Sequence, residues 1–304
     1  MRIVLIGQAA FGARVLEALI DNGEEVAAAF APPEPPGRPE PLREAGEKRG
    51  VRVYQPKRMR EPEALETVRA LKADLGVMAF VTDIVPQAVI EAPRLGTIQY
   101  HPSLLPKHRG GSAINWPIIM GETRTGLTIF WPDAGIDTGP ILLQKEVEVD
   151  PDDTVGSLYF NKLFPLGVEA MLESVALLKQ GRAPRIPQDE SQATYEKLCE
   201  EADVAIDWRL PAQRVYNLIR GGNPQPGANT PFRGAKLKIF DSALVPARGG
   251  AAGEVLEVSA DGIVVAAAGG GILVKRVQPA GGSKAAAAQW AQDVRLGTGE
   301  RLGS

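Results

Sequence analysis

The chain has 304 residues, 44% apolar and 23% charged, a composition that fits a globular protein with one large core or two ordinary ones. Its single cysteine, Cys199, excludes an intramolecular disulfide and a cysteine-rich zinc site, which fits a reducing cytoplasm, and no apolar run approaches the ~18 residues of a membrane span. The net charge of −3 hides an asymmetry: residues 205–304 hold 12 Lys and Arg against 7 Asp and Glu, a balance of +5, while residues 1–204 hold 22 against 30, or −8.

Residues 2–7 are an aliphatic run closed by glycine, too short for a signal peptide, and predict a strand buried on both faces. Phe11, Val15, Leu16 and Leu19 then recur at helical spacing, Gly23 follows as a cap, and residues 25–30 form a second strand. Such a start implies a parallel sheet with helices on its faces. The turn from Gly7 to Gly12 has neither GxGxxG spacing nor the Lys-Ser/Thr of a phosphate loop, so a dinucleotide cofactor is rejected. Both glycines are assigned to a tight turn and close helix packing. Six prolines in residues 31–41 predict an extended loop, either a border of a binding site or a plain connection.

Helices follow at 41–50 and 62–73, the second with Leu65, Val68 and Leu71 inward, and strands at 51–54 and 74–80. Ligands of open parallel sheets bind beyond the carboxyl ends of such strands. Residues 97–101 form another strand, Ser112 is placed to cap a helix to about Gly121, and residues 125–131 and 141–149 are strands. A long helix over 154–180 must kink or split at Pro165. Polar residues 182–201 mark a linker or a wrapping segment. After a helix at 211–220, short strands at 236–240, 253–258, 262–267 and 271–277 read as a small antiparallel barrel, with a helical turn at 285–290.

The chemistry centres on His101, one of only two histidines, at a strand end where side chains meet the cleft above a parallel sheet. Gln99 shares its face and Tyr100 takes the other. Asp137 lies in Gly135-Ile136-Asp137-Thr138-Gly139, where glycines allow close backbone approach to a ligand. Imidazole, carboxylate and amide together suit attack on a carbonyl-like carbon: a proton donor, its charge partner and an oxyanion donor. Without a GxSxG elbow, Ser103 is not a hydrolase nucleophile. His108 is read as a surface loop residue, no metal-ligand set is complete, and Arg109 meets either an anionic ligand group or solvent.

The run Tyr100-His101-Pro102-Ser103-Leu104-Leu105-Pro106, continuing through Arg109-Gly110-Gly111 to Asn115-Trp116, resembles the folate-dependent formyltransferase family, as does the run over residues 129–139. Within it the likeness is greatest to the amino-terminal hydrolase domain of 10-formyltetrahydrofolate dehydrogenase. Ile6-Gly7-Gln8 with Phe11-Gly12, residues 142–146 and residues 151–155 support that branch. The resemblance covers most of residues 1–240 and continues more loosely to the end. It implies an α/β fold: a Rossmann-like parallel-sheet formyltransferase domain over residues 1–203, followed by a small OB-like β-barrel domain over 204–304. His101 falls on the family's catalytic histidine and Asp137 on its essential aspartate. Ser103, Leu104, Leu105 and Pro106 match the loop lining the folate site, and Asp83, Ile84 and Val85 a segment at the pteridine end.

The implied formyl donor is 10-formyltetrahydrofolate, with no metal and no membrane, and water or an amine as acceptor. Gln99 is a departure, since it stands where the family's catalytic Asn normally does. It keeps the amide but moves it by one methylene, a change that the dehydrogenase-type domains also show. Methionyl-tRNA formyltransferase is the second expectation; overall acidity and scattered basic residues count against tRNA, and the +5 balance counts for it. A sugar-nucleotide amine is a third acceptor. From another class, Gln99 motivates a non-catalytic formylfolate-binding module. With nothing after Ser304, a full dehydrogenase is not expected.

Overall fold

The computed structural model describes residues 1–34, 37–246 and 249–303; residues 35 and 36 of the proline-rich loop lie outside the described residues. The aliphatic runs form strands β1 (Arg2–Gly7), β2 (Glu25–Phe30), β3 (Val53–Tyr54), β4 (Leu75–Ala79) and β5 (Thr97–His101). Helices α1 (Ala9–Asp21), α2 (Pro41–Arg49), α3 (Pro62–Ala70) and α4 (Gln87–Ile90) connect them. These strands pair in parallel in the order β3-β2-β1-β4-β5. After β6 (Arg109–Gly110) and α5 (Asn115–Met120), strand β7 (Arg124–Phe130) pairs antiparallel with β5, and β8 (Ile141–Glu148) completes a seven-stranded sheet.

The predicted stripe Phe11, Val15, Leu16 and Leu19 is the buried face of α1. Gly7 and Gly12 let that helix approach the sheet: a Cβ on Gly7 would stand 2.6 Å from the Ala79 carbonyl oxygen, and one on Gly12 3.2 Å from the Gly7 carbonyl carbon. α3 is shorter than expected. Its buried residues are Ala64 and Val68, while Leu65 and Leu71 are only partly buried, Leu71 because the helix has already ended.

The long helix is split. α6 (Val155–Leu158), a π-helical turn at Tyr159–Leu163 and α7 (Phe164–Lys179) follow one another. Pro165 has no N–H to give the carbonyl four residues back, so the regular ladder cannot run through it.

Two compact units emerge: Met1–Gly110, Gly126–Val147 and Asn161–Tyr195 in one; Gly111–Thr125, Glu148–Phe160 and Glu196–Ser304 in the other. A contiguous division at 203/204, as read from the sequence, leaves 111–125 and 148–160 with the first domain; here they pack within the second unit. Specific bonds hold them there. The Asn115 amide donates to the carbonyls of Gly221 and Gln225, at 2.8 and 3.0 Å. Arg220 and Tyr216, on α8 (Ala212–Gly221), donate to the Asp153 carbonyl and the Asp152 carboxylate, at 3.0 and 2.6 Å.

The rest of the second unit is antiparallel. After β9 (Tyr195–Glu196) and α8 come β10 (Ala228–Phe232), β11 (Ala235–Ile239), β12 (Ser242–Val245), β13 (Val255–Ser259), β14 (Gly262–Ala267), β15 (Gly270–Val274), β16 (Arg276–Pro279) and β17 (Ala285–Ala286), then helix α9 (Ala287–Asp293). They form sheets β10-β11-β16-β17 and β12-β15-β14-β13. The single strand expected at 271–277 is two, because the chain changes sheets at Lys275. A second crossing occurs at Asp241, whose carbonyl accepts from the Lys275 N–H at 2.8 Å, so the two corners are bonded together. β10 and β12 were not foreseen; Asn229 and Pro231 interrupt the first pattern, and β12 reads as a continuation of β11.

Ser112 does not cap α5, whose N-cap is Ile114; its hydroxyl instead accepts from the Cys199 N–H at 2.9 Å. Burial, with Asp203 nearby, pushes the Cys199 thiol up to about 11. At neutral pH its alkylation is therefore expected to be on the order of 100-fold slower than that of a free cysteine. Labelling with iodoacetamide at the free-thiol rate would contradict this. Among the described residues no helix is long and apolar enough to cross a membrane.

Candidate active site

β5 is covered on both faces, which fixes the direction of its side chains. On one face Tyr100 packs on Phe11, with ring centroids 4.4 Å apart, and against Gly167, where a Cβ would meet the Tyr100 ring at 2.7 Å. The other face carries half-buried Gln99 and buried His101. His101 sits opposite Thr128 of β7, and Gln99 pairs with Met78 and Phe130.

The loop after His101 is pinned to the neighbouring strands. Thr128 Oγ1 donates to the Ser103 carbonyl at 2.7 Å and accepts from the Leu105 N–H at 3.1 Å. The Gln144 amide donates to the Leu105 carbonyl at 2.8 Å. Ser103 is fully buried and its hydroxyl donates to the Lys107 carbonyl at 2.6 Å. Leu105 also faces inward, and Leu104 packs over Gly126, leaving Leu104 and Pro106 half-exposed.

His101 Nε2 lies 2.8 Å from the His108 carbonyl oxygen. A carbonyl only accepts, so Nε2 carries the hydrogen. Nδ1 stands 3.5 Å from Asp137 Oδ2. With Nε2 engaged as donor, a neutral ring turns a lone pair toward that carboxylate, whereas an imidazolium turns an N–H toward it. Nδ1 is therefore the ring nitrogen left to exchange a proton, beside the Asp137 carboxylate. Asp137 has a left-handed backbone, φ +56°, and its Oδ2 also accepts from the Gly110 N–H at 2.9 Å.

The glycines around Asp137 serve a different purpose from the one read in the sequence. A Cβ on Gly139 would lie 1.8 Å from the Trp131 carbonyl oxygen, and one on Gly135 2.0 Å from Thr138 Oγ1. They let the loop close on itself. Asp133 helps, its Oδ1 accepting from the Gly135 N–H at 3.0 Å and the Thr138 hydroxyl at 2.6 Å.

Two further expectations are corrected. His108 is buried, not on the surface; its N–H donates to Thr194 Oγ1 at 2.8 Å, and its carbonyl holds His101. Arg109 faces neither solvent nor an open ligand site. It is fully buried, and its guanidinium forks onto Glu190 at 2.6 and 2.9 Å and Gln188 at 2.8 and 3.1 Å, and donates to the Tyr195 hydroxyl at 2.6 Å. The Glu190 carboxylate beside it holds the guanidinium above its usual pKa. These partners lie in the polar stretch taken as a linker, where the cluster Gln188-Asp189-Glu190 was the available signal.

Asp83 lines a separate cavity of about 110 Å³ at the carboxyl ends of β1 and β4, together with Gln8, Thr82 and Pro32; His101, Gln99 and Asp137 do not line it. Its carboxylate accepts from the Met59 N–H at 2.9 Å. Val85 is buried and Ile84 is 83% exposed, so the three neighbours face different surroundings. Among the described residues no group of three or more His, Cys, Asp and Glu gathers as a metal site.

Residues 1–175 match the family model described as formyl transferase, and residues 199–295 that of the formyl transferase C-terminal domain. The mouse (Mus musculus) cytosolic 10-formyltetrahydrofolate dehydrogenase is 46% identical over 263 residues, 85% of this chain and 29% of that protein. The chain thus spans less than a third of that relative. Methionyl-tRNA formyltransferase of Trichlorobacter lovleyi is 38% identical over 307 residues, 99% of this chain and 96% of its own length. The crystal structure of HypX from Aquifex aeolicus in complex with tetrahydrofolic acid has a similar fold, with a TM-score of 0.73 at 19% identity over 99% of this chain and 48% of that one.

Proposed function

The chain belongs to the formyl transferase family, and from that premise we propose that it cleaves the formyl group of 10-formyltetrahydrofolate, with water as the first acceptor. The observation that carries this reading is the pairing of buried His101 with partly buried Asp137, Nδ1 to Oδ2 at 3.5 Å, with the other ring nitrogen bonded to the His108 carbonyl. The similarity to the dehydrogenase supports water as acceptor.

In the reaction, water attacks the formyl carbon and a C–O bond forms. Asp137 orients the nucleophile and supports the charge on His101. The Gln99 amide donates to the oxyanion. As the tetrahedral intermediate collapses, the bond between the formyl carbon and the folate nitrogen breaks. His101 supplies the proton that this nitrogen takes up and recovers one from the attacking water, whose second proton leaves with the carboxyl product, so that tetrahydrofolate, formate and a proton are released. The folate is assigned to the loop of Ser103, Leu104, Leu105 and Pro106 and to Asp83, Ile84 and Val85. Residues 1–203 are assigned the chemistry and 204–304 an accessory role, in a cytoplasmic setting that fits the lone cysteine and the cytosolic relative.

Incubation with 10-formyltetrahydrofolate and no acceptor should yield tetrahydrofolate and formate. Gln99→Leu should lower kcat by about 100-fold with KM little changed; an unchanged kcat would remove Gln99 from the chemistry. The match along 99% of the chain to a methionyl-tRNA formyltransferase favours a second reading, transfer to an amine. Turnover that begins only when charged initiator tRNA or an amino sugar nucleotide is added would select it over hydrolysis. Tight folate binding without turnover under any acceptor would leave only a binding module.

A further inference from the structure

We infer that Gln188 is a positioning residue for Asp137, an inference that rests on the assignment of Asp137 to the reaction. Gln188 uses every hydrogen-bonding position of its amide. Its Nε2 donates to the carbonyl oxygens of Asp137, at 2.8 Å, and Gly139, at 2.7 Å. Its Oε1 accepts from Arg109 Nη2 at 2.8 Å and Nε at 3.1 Å.

These four bonds close a ring through the site. Arg109 is flanked in the chain by His108, whose carbonyl holds His101 Nε2, and by Gly110, whose N–H holds Asp137 Oδ2. The Arg109 side chain then reaches Asp137's own loop through Gln188. His101 and Asp137 are thereby referred to one rigid point, a fully buried guanidinium that Glu190 and Tyr195 also anchor. Asp137 sits at φ +56°, a region uncommon for any residue but glycine although aspartate enters it more readily than most, and the bond from Gln188 to its carbonyl helps to hold it there. Glutamine fits this role because it presents donors to one side and an acceptor to the other.

Gln188→Glu separates the two halves. The carboxylate still accepts from Arg109, with charge assistance, but it meets the Asp137 and Gly139 carbonyls with no hydrogen to give. Gln188→Leu removes both halves. Both variants are expected to lose kcat by about 10- to 100-fold with KM within about threefold, since a misplacement of about 1 Å has that effect. Gln188→Glu is also expected to melt closer to wild type than Gln188→Leu, because its Arg109 side is intact. A Gln188→Glu protein with wild-type kcat, or one that loses activity only in proportion to folded protein, overturns the inference. Asp137→Asn assayed alongside keeps the failures distinct. If it retains turnover, the assignment of Asp137 fails; if it is inactive while Gln188→Glu is fully active, only the role of Gln188 fails.

Discussion

Asp137→Asn should lower the turnover of 10-formyltetrahydrofolate by about 10³-fold, and His101→Ala by as much, with far smaller changes in KM. Asparagine keeps the side chain's size and an oxygen that can still accept from the Gly110 N–H, now 2.9 Å from Asp137 Oδ2. The loop bonds to Gln188 involve backbone oxygens and are untouched. What disappears is the negative charge facing His101 Nδ1 at 3.5 Å. Without it that nitrogen loses the charge beside it, and the attacking group loses the carboxylate that orients it. His101→Ala removes the proton itself while the strand keeps its register with β4 and β7, which is set by main-chain pairing. Because the two groups act as a unit, the double variant should be little slower than either single one. Steady-state kinetics with melting curves would check this. More than a tenth of wild-type kcat in Asp137→Asn, or fully additive losses in the double variant, would end the assignment of the pair.

Much of the first unit was legible because its strands are aliphatic runs and its first helix has one clear apolar stripe. The alternation that put His101 and Gln99 on one side of β5 and Tyr100 on the other is a property of any strand, and the Phe11–Tyr100 packing agrees with it. Pro165 likewise announced the break before α7. What could not be read is long-range bonding. Arg109 and its partners Gln188, Glu190 and Tyr195 are 79 to 86 residues apart, so local pattern carried no sign that a loop arginine would be fully buried. The same holds for His108, which lies in a short polar run and yet is buried under Thr194. The membership of residues 111–125 and 148–160 in the second unit rests on contacts far apart in sequence, such as the packing of α5 on α8 and the bonds of Asn115 to Gly221 and Tyr216 to Asp152, which leave no periodicity. The glycines around Asp137 were visible as glycines, but not which atoms they make room for.

Gly139→Ala should cut kcat by about 100-fold or more and lower stability by about 2–3 kcal/mol. The added Cβ would lie 1.8 Å from the Trp131 carbonyl oxygen, 2.9 Å from its carbonyl carbon and 3.3 Å from the Asp133 nitrogen, all backbone atoms that cannot swing aside. Trp131 is also fixed. It is 4% exposed, its indole N–H donates to the Pro184 carbonyl at 2.9 Å, and its N–H donates to the Pro140 carbonyl at 2.9 Å. The Arg185 guanidinium lies 3.7 Å over its ring. The loop must therefore move instead, and Asp137 is two residues away on it. Gly135→Ala makes an informative contrast. Its Cβ would meet Thr138 Oγ1 at 2.0 Å and Thr138 Cβ and Cγ2 at 3.0 Å, all side-chain atoms, so the threonine can turn and shift slightly, giving up its bond to Asp133. That variant should keep most of its melting temperature and lose about 10-fold or less in kcat. Equal losses in the two variants, or a Gly139→Ala enzyme as active as Gly135→Ala, would mean that the closure on Trp131 does not set the position of Asp137.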